Sequence, residues 1–74
     1  MTFALSDEYI ELCSLLKAAQ LVMSGGEGKA VVAEGLVKVD GVVETRKRCK
    51  IRAGRRVEFE GHTIEVIAAS PRDG

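Results

Sequence analysis

The sequence predicts an α+β domain, with two short helices packed on a small, mainly antiparallel sheet. Three observations carry that prediction. Leu12, Leu15, Leu16 and Ala19 recur at helical spacing early in the chain. Two pairs of short apolar-alternating runs are each joined by a turn signal, Asp40-Gly41 and Gly61-His62. Between the two hairpins, residues 45–56 hold seven bases (Arg46, Lys47, Arg48, Lys50, Arg52, Arg55 and Arg56) and no acid. At 74 residues the chain is one small domain. Its aromatics are only Phe3, Tyr9 and Phe59, which leaves little room for a deep substrate pocket.

Residues 2–5 suit a short strand within a lead-in spanning 1–10, where Asp7 and Glu8 are expected at the surface. Residues 9–12 fit either a brief extended piece or the entry to a helix. The first helix is expected over about 11–20, with Lys17 facing away from the leucine stripe. Leu21, Val22 and Met23 would dock the connection to the next helix. Ser24-Gly25-Gly26-Glu27 reads as a capping box: Ser24 accepts from the Glu27 N–H, and the Glu27 carboxylate reaches back to Ser24. The second helix then runs to about residue 34, with Ala30, Val31 and Glu34 on one face. Gly25, Gly26 and Gly28 are poor helix formers, so something other than propensity is expected to favour them. Gly35 suits the left-handed position that ends a helix.

The first hairpin spans 36–44, and Asp40-Gly41 tolerates the positive φ angles of a type I′ turn. If residues 48–52 are extended, Cys49 and Ile51 point inward while Arg48, Lys50 and Arg52 share the wet face. Ala53-Gly54 reads as a turn. Residues 56–60 and 63–67 form the second hairpin around a type II′ turn at Gly61-His62. The domain proper is expected over 11–67, and residues 68–74, with Pro71, as a polar tail that frays.

Eleven bases balance eleven acids, so the net charge is zero. The distribution matters more, because local field rather than total charge attracts a phosphate backbone. Arg46, Lys47, Arg48 and Lys50 are the first candidates for phosphate contact. Lys17, Arg52, Arg55 and Arg56 are secondary ones. A docking surface of this kind needs those cationic tips gathered together and not tied to neighbouring carboxylates. The glycine-rich run ending at Lys29 is no P-loop: that motif requires Gly where Met23 stands and Ser or Thr where Ala30 stands. Its helix N-terminus does offer free N–H groups and a close approach for a nucleic-acid backbone.

His62 stands alone on a predicted turn, so no metal is expected. No Ser-His-Asp arrangement or distinctive carboxylate pair appears, so neither an enzyme, a cofactor nor a small-molecule substrate is expected. Cys13 and Cys49 belong to no C-x-x-C pair and read as small buried hydrophobes in a reducing compartment. Residues 1–5 lack the basic start and apolar run of a signal peptide, and no stretch is long enough to span a membrane. A cytoplasmic monomer is expected.

Residues 33–51 carry a resemblance. The run Ala-Glu-Gly-Leu-Val-Lys-Val-Asp-Gly-Val-Val-Glu-Thr-Arg-Lys-Arg-Cys-Lys-Ile, behind two short helices and ahead of Ala-Gly-x-x-Val, resembles the alpha-L RNA-binding domain, the ribosomal-protein-S-four-like fold. The match is most specific to the small stand-alone bacterial YbcJ-type group and covers about residues 11–66. The resemblance implies a non-catalytic RNA-binding module. It implies contacts from Ser24, Gly26 and Lys29 at the second helix, Lys38 and Asp40 on the hairpin, and Arg46, Lys47, Arg48 and Lys50 beyond it. Larger relatives usually carry two or more arginines in the second helix. Here only Lys29 is basic there, which shifts the expected contact toward the segment after the hairpin.

The expected partner is structured RNA, ribosomal or transfer, read by shape and backbone. With almost no exposed aromatic expected, base stacking of the single-strand type is not. Charge reversal of Arg46 and Arg48 should weaken binding uniformly across sequences. The alternative function is a protein-interaction adaptor in which the same bases meet an acidic partner.

Overall fold

A computed structural model describes residues 1–69. Its elements run β1 (Thr2–Leu5), β2 (Ile10–Glu11), α1 (Leu12–Ala18), α2 (Gly25–Ala33), β3 (Val37–Val39), β4 (Val42–Val43), β5 (Lys50–Ile51), β6 (Arg56–Phe59) and β7 (His62–Ala68). Five strands form one sheet in the order β1-β7-β6-β3-β4, and β2 and β5 form a separate two-stranded ribbon. All pairings are antiparallel except β1 with β7, where Thr2 lies beside Glu65 and Leu5 beside Ala68. This is the α+β architecture the sequence predicts: two helices on a small, mainly antiparallel sheet.

Period-two alternation on the strands and period-3.6 spacing on α1 aim one set of side chains at a common core. Leu12, Leu15 and Leu16 of α1 meet Val37 of β3, Val57 and Phe59 of β6, and Ile64 and Val66 of β7. Ile51 of β5 and Val32 of α2 close the cluster. No polar or charged side chain is buried among the described residues.

Both helices end the same way. Gly35 (φ +76°) follows α2, its N–H bonds to Val32 O, and the Leu36 N–H bonds to Val31 O. After α1 the left-handed residue is Gln20 (φ +63°), with Gln20 N–H to Lys17 O and Leu21 N–H to Leu16 O. Each pair of bonds is a Schellman stop. The first helix therefore closes at Ala18, short of the expected residue 20, because Gln20 takes on a task usually signalled by glycine.

Four further expectations change. Ser24 does cap the Glu27 N–H, but the Glu27 carboxylate accepts from Met23 N–H rather than from Ser24. The buried face of α2 is Gly28 and Val32, with Ala30 and Glu34 exposed and Val31 half-buried. Glycine decides that face: a Cβ on Gly28 would lie 2.9 Å from the Cys13 carbonyl oxygen, so its absence lets α2 sit against α1.

The second hairpin turns at Glu60-Gly61 (φ +52° and +80°), a type I′ turn like Asp40-Gly41 (φ +53° and +85°), and not type II′ at Gly61-His62. His62 is a strand residue opposite Phe59. Finally, β7 includes Ala68, and the Ala69 N–H donates to Leu5 O, so the expected tail begins later. The remainder of that tail, 70–74, lies outside the described residues.

Candidate nucleic-acid interface

The basic segment is held by its backbone. Glu11, at the start of α1, contributes no side-chain cap, which leaves the first helical N–H groups in need of partners. The loop after β4 supplies them: Leu12 N–H donates to Cys49 O (2.9 Å) and Cys13 N–H to Lys47 O (3.2 Å). Within the loop, Cys49 N–H donates to Arg46 O and Arg46 N–H to the Glu44 carboxylate. The β2–β5 ribbon continues the attachment, pairing Ile10 with Ile51 and Glu11 with Lys50. Ile51 is buried and Ile10 packs against the core, so Arg48, Lys50 and Arg52 point outward, as alternation predicts. Cys49 is half-buried, and burial raises its thiol pKa.

The cations divide by type. Each of the five described arginines has a carboxylate partner brought by the fold: Arg46 with Glu44 (2.9 Å), Arg48 with Glu11 (3.4 Å), Arg52 with Glu8 (4.0 Å), Arg55 with Asp40 (2.7 Å) and Arg56 with Glu65 (3.5 Å). Lys17, Lys29, Lys38, Lys47 and Lys50 have none among the described residues. The expectation of an unneutralised basic window is therefore corrected. Residues 45–56 contain no acid, but four of the five partner acids lie before the window and one after it.

The arginine side chains stay 54–77% exposed within these pairs, so their outer N–H groups still face solvent. Exposed pairs of this kind contribute little net stability and are screened by salt. Glu44 accepts three hydrogen bonds from Arg46, and those from the side chain and then the backbone hold its carboxyl pKa at about 2. Asp40 is also lowered, first by the Arg55 guanidinium and then by the Arg56 N–H. Asp40 thus uses both oxygens to orient Arg55 and the start of β6, and it has a structural task beyond the contact role expected of it.

Two concavities adjoin the loop. One, of about 620 Å3 between α1 and α2, is lined by Lys17 and Lys29 with Glu11, Cys13, Ser14 and Gly25. The other, of about 470 Å3, places Arg46, Arg48, Lys50 and Arg55 around Cys49. Cys13 in the wall of the first is bonded through its N–H to Lys47, which lies in sequence between Arg46 and Arg48 of the second. Ser24 caps α2 and exposed Gly26 lies in its first turn, beside the first concavity. Lys38 and Arg56 are not brought in. Lys38 points away from the buried Val37 and Val39 and shares the outer sheet face with Glu58, while Arg56 faces Glu65 on that same side.

Sequence reasoning missed Ser14, which follows the capped α1 start, and Tyr9, which joins the ribbon's outer face. The Lys50 Nζ lies 4.9 Å above the Tyr9 ring centroid. The signal for Tyr9 was its two-residue offset from Glu11, visible only once Ile10 and Glu11 are paired with Ile51 and Lys50.

Among the described residues no group of three or more His, Cys, Asp or Glu gathers as metal ligands, and no helix is long and apolar enough to cross a membrane.

Comparison with known proteins adds four findings. The S4 domain family matches residues 3–67. YbcJ of Escherichia coli (strain K12) and YbcJ of Shigella flexneri are each 54% identical over 68 residues, covering 90% of this chain and 97% of theirs. The solution structure of the Escherichia coli protein, described as revealing an alpha-L motif involved in RNA binding, superposes with a TM-score of 0.71 over 90% of this chain and 86% of that one. A tyrosine–tRNA ligase of Geobacter sulfurreducens is 46% identical over 41 residues, 55% of this chain but 10% of the ligase.

Proposed function

The chain belongs to the S4 domain family, and on that premise we propose that it is a non-catalytic module that binds the phosphate backbone of structured RNA. The observation that carries this reading is the backbone-capped loop: it bears Lys47 and Lys50, and its Lys47 carbonyl accepts from the N–H of Cys13 in the wall of the Lys17–Lys29 groove. Four ammonium groups, those of Lys17, Lys29, Lys47 and Lys50, have no carboxylate partner among the described residues and offer charge that a polyanion neutralises with release of counterions. The arginines supply a second tier: a phosphate can accept from their outward N–H groups while each carboxylate holds the guanidinium in place. The alpha-L motif of the Escherichia coli relative, described as involved in RNA binding, supports the ligand class. The matched tyrosine–tRNA ligase makes transfer RNA the first ligand to test, with ribosomal RNA the second. We infer a monomer acting in the cytoplasm.

Lysines give a cleaner test than arginines, because reversing Arg46 or Arg48 also strands its carboxylate. In fluorescence polarisation with a labelled transfer RNA, the K29E/K47E double variant is expected to lose at least tenfold in affinity, to a similar extent for RNAs of unrelated sequence. Unchanged affinity would overturn the assignment. Zero net charge and the arginine–carboxylate pairs keep one rival in view, an adaptor for an acidic protein. Partners retained on a pull-down after ribonuclease treatment would favour that rival.

A further inference from the structure

Three aromatic side chains occur in the chain, and two are committed to packing: Phe59 is buried in the core and Phe3 lies against it. Tyr9 stands apart. It precedes β2, and continuing the Ile10–Ile51 and Glu11–Lys50 register sets Tyr9 opposite Arg52. Ile10 and Ile51 turn inward, so Tyr9, Glu11, Lys50 and Arg52 share the outward face, and Arg48 reaches the same face through Glu11. The ring is half-buried and held beneath the Lys50 ammonium at 4.9 Å, close enough for a cation–π contact that restrains both side chains. The ribbon's wet face therefore presents one oriented aromatic ring among three cations and two glutamates, Glu11 beside Arg48 and Glu8 beside Arg52.

An aromatic ring flanked by cations matches the repeat of a nucleotide, whose base offers a π-face and whose neighbouring phosphates carry charge. We propose that Tyr9 is a stacking platform for one unpaired nucleobase, with Arg48, Lys50 and Arg52 taking the adjoining phosphates. The RNA recognised by this module then carries an unpaired nucleotide, in a bulge, a loop or a helix end, beside its duplex. This rests on the RNA-binding reading and sharpens its ligand class. A duplex buries its bases in the stack, so a ring at this place discriminates only where a base is free to leave it. One ring serves one nucleotide and does not track a single strand.

Tyr9 is the sole tyrosine and the chain has no tryptophan, so tyrosine emission reports on this ring alone. The experiment titrates the full chain with two RNA hairpins of equal length, one fully paired and one with a single-nucleotide bulge. The bulged RNA is expected to bind five- to tenfold more tightly and to quench the emission. Tyr9→Leu should abolish that preference while leaving affinity for the paired hairpin and its salt dependence in place, and Tyr9→Phe should restore the preference. If both RNAs bind equally well to the natural chain, or if Tyr9→Leu keeps the preference, the stacking proposal fails and backbone binding stands. If the natural chain binds neither RNA, the RNA-binding reading itself fails, and the platform with it.

Discussion

Glu44 shows how a side chain can matter beyond its own exposure. It follows β4, outside the basic window, and sets the position of Arg46 through both the guanidinium and the backbone N–H. Its pKa falls from an ordinary 4.5 to about 2 in the folded chain. A depressed carboxyl contributes stability that is present above its unfolded pKa and lost as pH falls through the folded one. The natural chain should therefore lose this contribution between about pH 4.5 and pH 2, whereas E44Q should start less stable at pH 7 and decline less steeply over that window. Urea midpoints at pH 7, 4 and 2.5 measure both slopes, and parallel declines would show that Arg46 gains nothing from Glu44. The partnership was hidden in the sequence. The two residues are only two apart, but nothing in their spacing says that the chain folds back on itself there.

At the scale of elements, the close approach of the helices depends on Gly28. Adding one methyl group there brings it within 2.9 Å of the Cys13 carbonyl oxygen and 3.4 Å of the Cys13 Cα, which are backbone atoms that cannot swing aside. Alanine gains roughly 1 kcal/mol in helix propensity, while overpacking costs about 1–3 kcal/mol, so Gly28→Ala is expected to destabilise by up to about 2 kcal/mol. Gly26→Ala, whose Cβ would meet nothing nearer than the Ser24 hydroxyl at 3.8 Å, should be neutral or slightly stabilising. Denaturant melts of the pair test this, and equal effects would refute the packing account.

The elements themselves were largely legible. The leucine stripe of α1, the Ser24 cap, the Gly35 stop and the Asp40-Gly41 turn each follow from local chemistry that short windows contain. What escaped was decided by tertiary contact: the face of α2, chosen by Gly28 against Cys13, and the end of α1, where Gln20 does without a glycine. The Glu60-Gly61 turn escaped for a different reason, since either placement puts a glycine in the loop and only the register of Phe59 with His62 separates them.

For the whole molecule, zero net charge is compatible with the proposed phosphate contact because the fold sorts its charges. Among the described residues the arginines collect carboxylates from β2, β7, the first hairpin and the residues before β2, while the lysines do not. If Lys17, Lys29, Lys47 and Lys50 carry the phosphate contacts, log affinity against log salt should have a slope of about −3 to −4. A slope nearly twice as steep would mean that the arginines release their carboxylates on binding. A slope near zero would rule out backbone contact. Composition alone pointed to the loop as the place of highest positive charge. It did not reveal that Lys17 and Lys29 share a groove between α1 and α2, nor that Lys38 and Arg56 lie on the outer face of the sheet, because the first depends on how the helices pack and the second on which way β3 and β6 present their alternate residues.

The pairing of β1 with β7 joins residues 63 positions apart, such as Thr2 and Glu65, and so closes nearly the whole described chain into one loop. Such distant contacts form late, since their closure entropy is met before they return any energy. During synthesis the opening strand is made first and then waits, with its hydrogen-bonding edge bare, until the closing hairpin exists to receive it. The helix pair and its capping loop can assemble in that interval without it. Truncating Phe3 to alanine should therefore accelerate unfolding while leaving the refolding rate nearly untouched, as a stopped-flow chevron would show. The first strand made is the final bolt drawn across a door already hung.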